Sequence, residues 1–362
     1  MRSSSPEDGS MESTRRAFLR NACTAALGLG FGVCIFPGIY QFAEARRQTS
    51  PHEIYMKGTI NFNGFNAKEV TPNDEFYITS YSSKVPDIDP DKFRLRIEGR
   101  VKNPYSLTLA ELQAMRDKQQ YVTLECIGNP TGGSAISNAL WDGVILKKVL
   151  ERAKPESDIV KTAFSAADGY SDSIPYELSL SEEVFLAFRM NGAPLPPVHG
   201  YPLRVIVPGI FGMKNVKWLS KIELVNFDFK GYWEKKGWSD EAVIPLMSEI
   251  LMPMDGKRIP PGHYVIGGIA FGGRHGVGRV QIYVDGENWR DVELKPPLSK
   301  WTWRLWRSDW TPSREGNFSI RVRAFDRSGM VQESASLLGR VFSTTYPDGA
   351  RGIQSIEVSV TK

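Results

Sequence analysis

The feature that most constrains the fold is a strict alternation of apolar and polar residues in three short stretches, residues 93–98, 280–284 and 318–324. A period of two places every second side chain on one face of an extended chain, so each stretch predicts a half-buried β-strand. The first strand is expected to end at Gly99 and the second at the turn pair Asp285-Gly286. The chain is therefore predicted to be built largely on sheets.

Helix signals lie between these strands and are short. Thr108 and Glu111 have the spacing of a capping box, which predicts a helix start. Apolar residues recur at helical spacing over residues 146–153, and residues 121–126 read as a further strand. Mixed strands and short helices predict an α+β domain over residues 46–240.

The secondary-structure pattern of the sequence changes after residue 240. Short strand patterns and turn signals continue, and a long helical pattern is missing from residues 241–362. This combination predicts a separate all-β sandwich domain. The boundary between the two domains is expected between Ser239 and Pro245.

The N-terminal segment, residues 1–45, is interpreted as a targeting signal and not as part of the folded domains. Arg15 and Arg16 precede an apolar run from Ala22 to about Tyr40, which is the twin-arginine export pattern. Small residues at 43–45 supply a cleavage site. Cleavage predicts a periplasmic protein, and a retained membrane anchor is the alternative. Passengers of this route often carry cofactors inserted before export.

The chain has three cysteines, and two of them, Cys23 and Cys34, lie in the predicted signal. Cys126 is left alone, so it has no disulfide partner in the mature chain. Haem-attachment and iron–sulfur cysteine sets are missing, and one cysteine with scattered histidines lacks zinc-ligand spacing. Cys126 is therefore either a small buried apolar residue or a ligand in its own right. Three histidines are interpreted as ordinary residues: His52, His263 and His275.

The surroundings of Cys126 favour the second interpretation. The stretches 123–129 (TLECIGN), 137–146 (SNALWDGVIL), 199–209 (HGYPLRVIVPG) and 215–219 (NVKWL) occur in this order. Together they strongly resemble the catalytic domain of the sulfite oxidase family. The C-terminal part resembles the companion immunoglobulin-like, dimerisation-type domain of that family, in features at residues 267–273, 285–289, 306 and 323–326.

The resemblance implies that Cys126 is the protein ligand of a molybdenum–molybdopterin cofactor. A thiolate is a soft, charged ligand suited to a redox metal. A pterin ends in a phosphate, and cationic and hydrogen-bonding side chains suit such a ligand. The residues that the resemblance implies as cofactor contacts, besides Cys126, are Tyr77, Ser80, Tyr81, Asp168, His199, Arg204, Asn215, Val216 and Lys217.

The sequence departs from the family where the substrate binds. Two basic residues that normally follow the cysteine loop are replaced by Pro130 and Thr131, and an arginine and a histidine are replaced by Thr79 and Tyr81. Phe229 stands where the family has a catalytic tyrosine. A desolvated dianion needs paired cations, so the pocket is predicted to suit a neutral S-oxide or N-oxide. Three residues are candidates to supply the missing positive charge: Arg189, Lys230 and Arg274.

The leading hypothesis is an exported molybdopterin oxidoreductase that performs two-electron oxygen-atom transfer, with Cys126, Thr79 and Phe229 at the reacting centre. The alternatives are a true sulfite oxidase that passes electrons to cytochrome c, and a non-enzymatic binding protein that retained the fold. A separate electron-transfer protein, a cytochrome c or a membrane quinone protein, is implied as partner, together with a homodimer. The net charge of +4 without a basic block excludes nucleic acid.

Overall fold

The computed structural model describes residues 60–333 and 345–362, and most of the ordered elements are strands. The predicted signal with its cleavage site and His52 lie outside the described residues. The strands, in chain order, are β1 (Ile60–Phe62), β2 (Phe65–Ala67), β3 (Leu95–Gly99), β4 (Tyr105–Leu107), β5 (Lys118–Glu125), β6 (Ile136–Ile145), β7 (Lys161–Ala166), β8 (Ser171–Pro175), β9 (Phe185–Met190), β10 (Ala193–Pro194), β11 (Arg204–Ile206), β12 (Leu219–Val225), β13 (Met247–Met252), β14 (Lys257–Ile259), β15 (Tyr264–Phe271), β16 (Arg279–Val284), β17 (Arg290–Asp291), β18 (Glu293–Leu294), β19 (Arg304–Trp310), β20 (Gly316–Phe325) and β21 (Gln354–Val360). The α-helices are α1 (Leu109–Ala114), α2 (Leu146–Arg152) and α3 (Tyr176–Ser179), and 3-10 turns cover Pro197–His199, Gly212–Lys214 and Glu234–Lys236.

Two sheets organise the part that contains Cys126. One has the strand order β10-β9-β6-β5, with β11 paired to β9, and the other has the order β4-β3-β12-β7-β8. Strand β3 confirms the first predicted alternation, because Leu95 and Ile97 are buried while Arg96 is exposed. This part contains more strand and less helix than expected, since α1, α2 and α3 have only six, seven and four residues.

The predicted helix start at Thr108 is confirmed by its hydrogen bonds. The Thr108 hydroxyl oxygen accepts the Glu111 backbone N–H at 3.1 Å, and the Glu111 carboxylate accepts the Thr108 backbone N–H at 2.8 Å. Two donors at the helix end are satisfied in this way. Among the described residues, no helix is long and apolar enough to cross a membrane.

The C-terminal part is a sandwich of two sheets, as predicted. One sheet has the order β13-β15-β19-β18, and the other has the order β14-β21-β20-β16-β17. Alternate residues of β16 and β20 point into the space between the sheets and form an apolar core with β15, β19 and β21. The two remaining alternations predicted from the sequence are therefore confirmed.

The sandwich also holds the strand that leads to Cys126. The Thr123 backbone N–H donates to the Trp301 carbonyl oxygen at 3.0 Å, and the Trp303 backbone N–H donates to the Thr123 hydroxyl at 3.0 Å. Ser299 donates from its hydroxyl to the Tyr121 carbonyl oxygen at 2.7 Å. Strand β5 is thus fixed on both edges, by β6 and by residues 299–303. The domain boundary near residue 240 stays a prediction.

Candidate functional site

Cys126 lies immediately after β5, at the start of a tight turn. Its backbone N–H donates to the Ala135 carbonyl oxygen at 2.9 Å, and its carbonyl accepts the Asn129 N–H at 2.9 Å. The Asn129 side chain accepts the Ala135 N–H at 2.9 Å and donates to Glu125 at 3.1 Å. The loop is therefore rigid, and it holds a thiol that is only 7% exposed.

The pKa of the Cys126 thiol is subject to two opposing effects, burial and hydrogen bonding. Burial raises its pKa, because the thiolate loses hydration. The Gly128 backbone N–H and the Thr79 side chain hydrogen-bond to the sulfur and lower the pKa in part. Thr79, predicted as a site residue, is thus brought into contact with the predicted ligand sulfur.

Tyr77 interacts electrostatically with both Cys126 and Arg204. Burial raises its pKa well above the ordinary value, Cys126 raises it further, and Arg204 opposes both effects. A Cβ at Gly212 would lie 2.6 Å from the Tyr77 hydroxyl and 3.2 Å from the Glu125 carbonyl oxygen. Glycine at position 212 therefore allows Tyr77 to approach the cysteine loop closely.

Arg204, on β11, is 5% exposed and incompletely paired. It donates to the His199 carbonyl oxygen at 3.0 Å and to the Asn215 carbonyl oxygen at 3.1 Å, and its guanidinium lies 4.9 Å from the Trp141 ring centroid. Its Nε has no partner among the described residues. Burial lowers the pKa of Arg204 to about 10. A buried cation with an unused donor is the counterpart that an anionic ligand requires.

Lys217 is close enough to this guanidinium to be affected by its charge, and it binds Ser80. Lys217 Nζ donates to the Ser80 hydroxyl at 2.7 Å and to the Val198 carbonyl oxygen at 3.0 Å. Burial and the nearby charge of Arg204 lower the pKa of Lys217 to about 7, while the carboxylate of Asp168 opposes them. Two cations are therefore held close to each other, and a bound anion would relieve their repulsion.

His199 is neutral and fixed in one tautomer. Burial lowers its pKa to about 4. Its Nε2 lies 2.8 Å from the Asn73 carbonyl oxygen, and since a carbonyl only accepts, Nε2 carries the proton. The ring packs edge-on against Phe76 at 5.4 Å. Nδ1 is consequently an acceptor for a ligand N–H or O–H.

Asn215 and Val216 shape the loop between β11 and β12. The Asn215 side chain accepts the Val207 N–H at 2.7 Å and donates to the carbonyl oxygens of Ile210 and Phe211 at 3.2 and 3.1 Å. The Val216 carbonyl accepts the Val205 N–H at 2.9 Å. Both residues are 1% exposed. Their side chains therefore stabilise the loop from inside, and a ligand would contact the backbone of these residues.

Tyr81 packs against two tyrosines that sequence reasoning missed. Its ring centroid is 4.5 Å from that of Tyr232 and 6.0 Å from that of Tyr170. Asp168 accepts the Tyr170 backbone N–H at 3.0 Å. The sequence offered no signal for Tyr170, and the signal for Tyr232 was only its position in the segment aligned with the family's tyrosine.

The Phe229 ring has different neighbours. It lies 6.3 Å from Phe227 and has Lys235 Nζ 5.6 Å above it. The ring that the chain brings to Tyr81 from this segment is therefore that of Tyr232, three residues further on.

Lys214 is a second residue that the sequence did not suggest. It is 1% exposed, and its Nζ donates to Asp172 at 2.8 Å, to Asp240 at 3.2 Å and to Glu234. Burial alone would lower the pKa of Lys214, but Asp172 and Glu234 raise it above the ordinary value. Its charge is thus neutralised by carboxylates next to the loop of Asn215 and Lys217.

The three proposed replacement charges occupy separate positions. Lys230 is paired with Asp228 and Asp240, both at 2.8 Å. Arg189 donates to the Gly192 carbonyl oxygen within the β9–β10 hairpin. Arg274 packs against the turn at Gly209, where a Cβ would lie 2.9 Å from its side chain.

The donor set decides what kind of cofactor fits. Among the described residues, no group of three or more His, Cys, Asp or Glu side chains could hold a metal ion. A metal at Cys126 therefore needs further donors from a ligand that is itself bound by the protein. The buried guanidinium with its unused Nε, the adjoining lysine and the neutral imidazole fit an anionic, ring-containing ligand such as a pterin phosphate.

Comparison with known proteins gives two family matches. The model of the oxidoreductase molybdopterin binding domain matches residues 82–233, and that of the Mo-co oxidoreductase dimerisation domain matches residues 241–346. Sulfite oxidase of Gallus gallus is 32% identical over a match that covers 73% of this chain and 68% of that protein. Mitochondrial sulfite oxidase of Rattus norvegicus is 31% identical over 73% of this chain.

The chain spans 57% of the length of the rat protein, so the match does not extend over that whole relative. A solved structure, the sulfane dehydrogenase SoxCD from Paracoccus pantotrophus, superimposes with a TM-score of 0.71. The superposition covers 93% of this chain and 96% of that one at 21% sequence identity, which establishes the shared fold.

Proposed function

Because the chain belongs to the sulfite oxidase family of molybdopterin-dependent oxidoreductases, we propose that it catalyses a two-electron oxygen-atom transfer at a centre held by Cys126. The observation that carries this proposal is the buried thiol in contact with Thr79, together with the incompletely paired guanidinium of Arg204, since Tyr77 interacts with both groups. A thiolate ligand and a cationic cradle are the two requirements of a metal–pterin centre.

Each residue would then have a definite task. The molybdenum cofactor, when bound, supplies a metal that exchanges an oxygen atom and two electrons with a substrate. Cys126 would hold the metal, and the Thr79 hydroxyl would stabilise the charge on its sulfur. Arg204 and Lys217 would bind the pterin phosphate, and Nδ1 of His199 would accept a hydrogen bond from an N–H of the pterin ring. Asn215 and Val216 would keep the β11–β12 loop in shape.

We propose a neutral S-oxide or N-oxide as substrate. The basic residues that would bind a dianion are replaced by Pro130 and Thr131 after the cysteine and by Thr79 beside it. Lys214, a buried lysine of the neighbouring loop, is neutralised by carboxylates. A desolvated dianion would therefore bind without enough compensating charge. Oxidation of sulfite is the second candidate, favoured by the names of the relatives.

Export, dimerisation and the electron partner complete the proposal. The twin-arginine segment supports a periplasmic location, and the matched dimerisation domain supports a homodimer. A two-electron centre has to exchange electrons with another protein. A separate carrier, a cytochrome c or a membrane quinone protein, is proposed for that purpose.

Metal analysis and a substrate panel test the proposal. Protein from a molybdate-replete host should contain molybdenum, and Cys126→Ser should lose the metal while circular dichroism shows an unchanged fold. Reduction of S-oxides and N-oxides with a reduced dye is compared with sulfite oxidation by ferricyanide. Tight, rapid sulfite turnover would reverse the substrate assignment, and folded wild-type protein without molybdenum would support a binding protein.

A further inference from the structure

Exposed aromatic residues and unpaired lysines adjoin one another on one surface, here called the exit surface and defined by Phe227, Lys235, Lys236 and Tyr346. Phe227 and Tyr346 are 56% and 55% exposed, which is unusual for large aromatic side chains. Lys235 and Lys236 are also exposed, and in the described part of the chain neither forms an ion pair with a carboxylate.

Direct contacts make this surface continuous. The ring of Phe227 lies 6.3 Å from that of Phe229, over which Lys235 Nζ is placed at 5.6 Å. Tyr346 reaches the same segment from the far end of the chain, because its hydroxyl packs against Gly237. A backbone hydrogen bond from Ser239 to the Pro347 carbonyl oxygen, at 3.1 Å, holds the two segments together.

A continuous series of edge-on ring contacts, here called the stack, leads inward from the exit surface. Tyr346 lies 5.3 Å from Trp238, Trp238 lies 6.3 Å from Trp233, and Trp233 lies 4.9 Å from Tyr232. Tyr232 in turn lies 4.5 Å from Tyr81. Tyr81 follows Thr79 by two positions, and Thr79 contacts the sulfur of Cys126. The stack therefore joins the neighbourhood of the predicted metal ligand to the exit surface.

Packed rings matter because electron tunnelling weakens steeply with each gap between atoms. A stack without gaps couples the two ends better than the same distance across loosely packed chain. The rings act as the medium and are not themselves oxidised. In oxide reduction each carrier molecule delivers one electron to the centre, so one two-electron turnover oxidises two carrier molecules in succession; in sulfite oxidation the electrons travel the other way.

We propose that the exit surface docks an acidic one-electron carrier protein and that the stack from Tyr346 to Tyr81 carries electrons between this carrier and the centre at Cys126. The inference rests on the proposed function, whose electron partner it describes. The lysines attract an acidic face, and the exposed aromatic rings supply apolar contact at its centre. An encounter of this kind is fast and sensitive to salt.

Binding is tested first, with the molybdenum-loaded full chain and with plant plastocyanin, an acidic copper protein, as probe. Lys235→Glu/Lys236→Glu should weaken plastocyanin binding about tenfold or more at low ionic strength, measured by calorimetry. The control Lys102→Glu/Lys257→Glu changes the same charge at two other exposed lysines and should bind as the wild type does. Equal weakening in both variants, or tighter binding of basic cytochrome c to the wild type, would overturn the proposed surface.

The stack is tested at saturating plastocyanin, so that electron transfer and not binding limits the rate. Enzyme reduced with titanium(III) citrate and freed of excess reductant is mixed with oxidised plastocyanin in a stopped-flow instrument, and bleaching of the copper band reports electron transfer without any substrate. Trp238→Leu should slow transfer several-fold while binding is unchanged, and Trp289→Leu, which alters a tryptophan outside the stack, should have no effect. If Trp238→Leu is unstable, Trp233→Leu replaces it, because Trp233 belongs to the stack and not to the exit surface. Unchanged transfer in a folded stack variant would overturn the path.

These readouts separate the inference from the proposed function. Molybdenum content and oxide reduction with a small dye test the function, and neither requires the exit surface. If the enzyme contains molybdenum and reduces oxides but does not bind plastocyanin, the proposed function is supported and the proposed docking at the exit surface is wrong.

Discussion

The side chain of Thr79 hydrogen-bonds to the sulfur of Cys126, although the two residues belong to different segments of the chain. The hydrogen bond counters the burial of the thiol and favours the thiolate. We expect Thr79→Val to raise the pKa of Cys126 in cofactor-free protein, while Thr79→Ser keeps the hydroxyl and the wild-type pKa. Thiolate absorbance as a function of pH measures this. An unchanged pKa in Thr79→Val would contradict the role of the hydroxyl.

Arg204 should decide cofactor retention. Its replacement by lysine removes the planar donor fork and leaves the carbonyl oxygens of His199 and Asn215 poorly paired. We expect Arg204→Lys to lose most of the bound molybdenum and pterin and to destabilise the protein by about 1–3 kcal/mol. Metal and pterin analysis with urea unfolding test this, and Arg189→Lys in the β9–β10 hairpin is the control. Full retention of molybdenum and pterin in Arg204→Lys would contradict the proposed role of Arg204 in cofactor binding.

Lys217 should make the stability of cofactor-free protein depend on pH. Its pKa falls from 10.5 in the unfolded chain to about 7 when folded, because burial disfavours the ammonium. Between these two values the unfolded state binds more protons, so stability rises with pH, by up to about 1.4 kcal/mol per unit. Urea unfolding from pH 7 to 9 should show this slope in the wild type and a smaller one in Lys217→Met. Lys102→Met, at an exposed position, should keep the full slope.

Gly212 should be intolerant of any side chain. A Cβ there would lie 2.6 Å from the Tyr77 hydroxyl and 3.2 Å from the Glu125 carbonyl oxygen, which is backbone next to Cys126. We expect Gly212→Ala to cost about 1–3 kcal/mol of unfolding free energy and to lower molybdenum content. Gly262→Ala, whose nearest neighbour would be 3.8 Å away, should be close to neutral. Equal stability of the two variants would show that the loop adapts.

The elements that the sequence predicted correctly are those specified by short-range patterns along the chain. Leu95 and Ile97 alternate with polar residues, and Thr108 and Glu111 stand at capping distance; both patterns act within a few residues. The helices were overestimated, because the helical stretches are short and most of the first domain pairs as strands. The type of cofactor followed from the family resemblance, which rests on four short motifs, 123–129, 137–146, 199–209 and 215–219, that are each legible in the sequence.

The neighbours of the site belong to the tertiary structure. Tyr232 reaches Tyr81, and Lys214 reaches Asp172, 42 positions away in the chain. These contacts depend on the strand order β4-β3-β12-β7-β8, in which β12 lies between strands from earlier parts of the chain. No local periodicity encodes that order, since it is selected by the packing of whole sheets. The sequence by itself thus determined the family to which the chain belongs, and only the tertiary structure decided which side chains surround Cys126 and where the ring stack meets the surface.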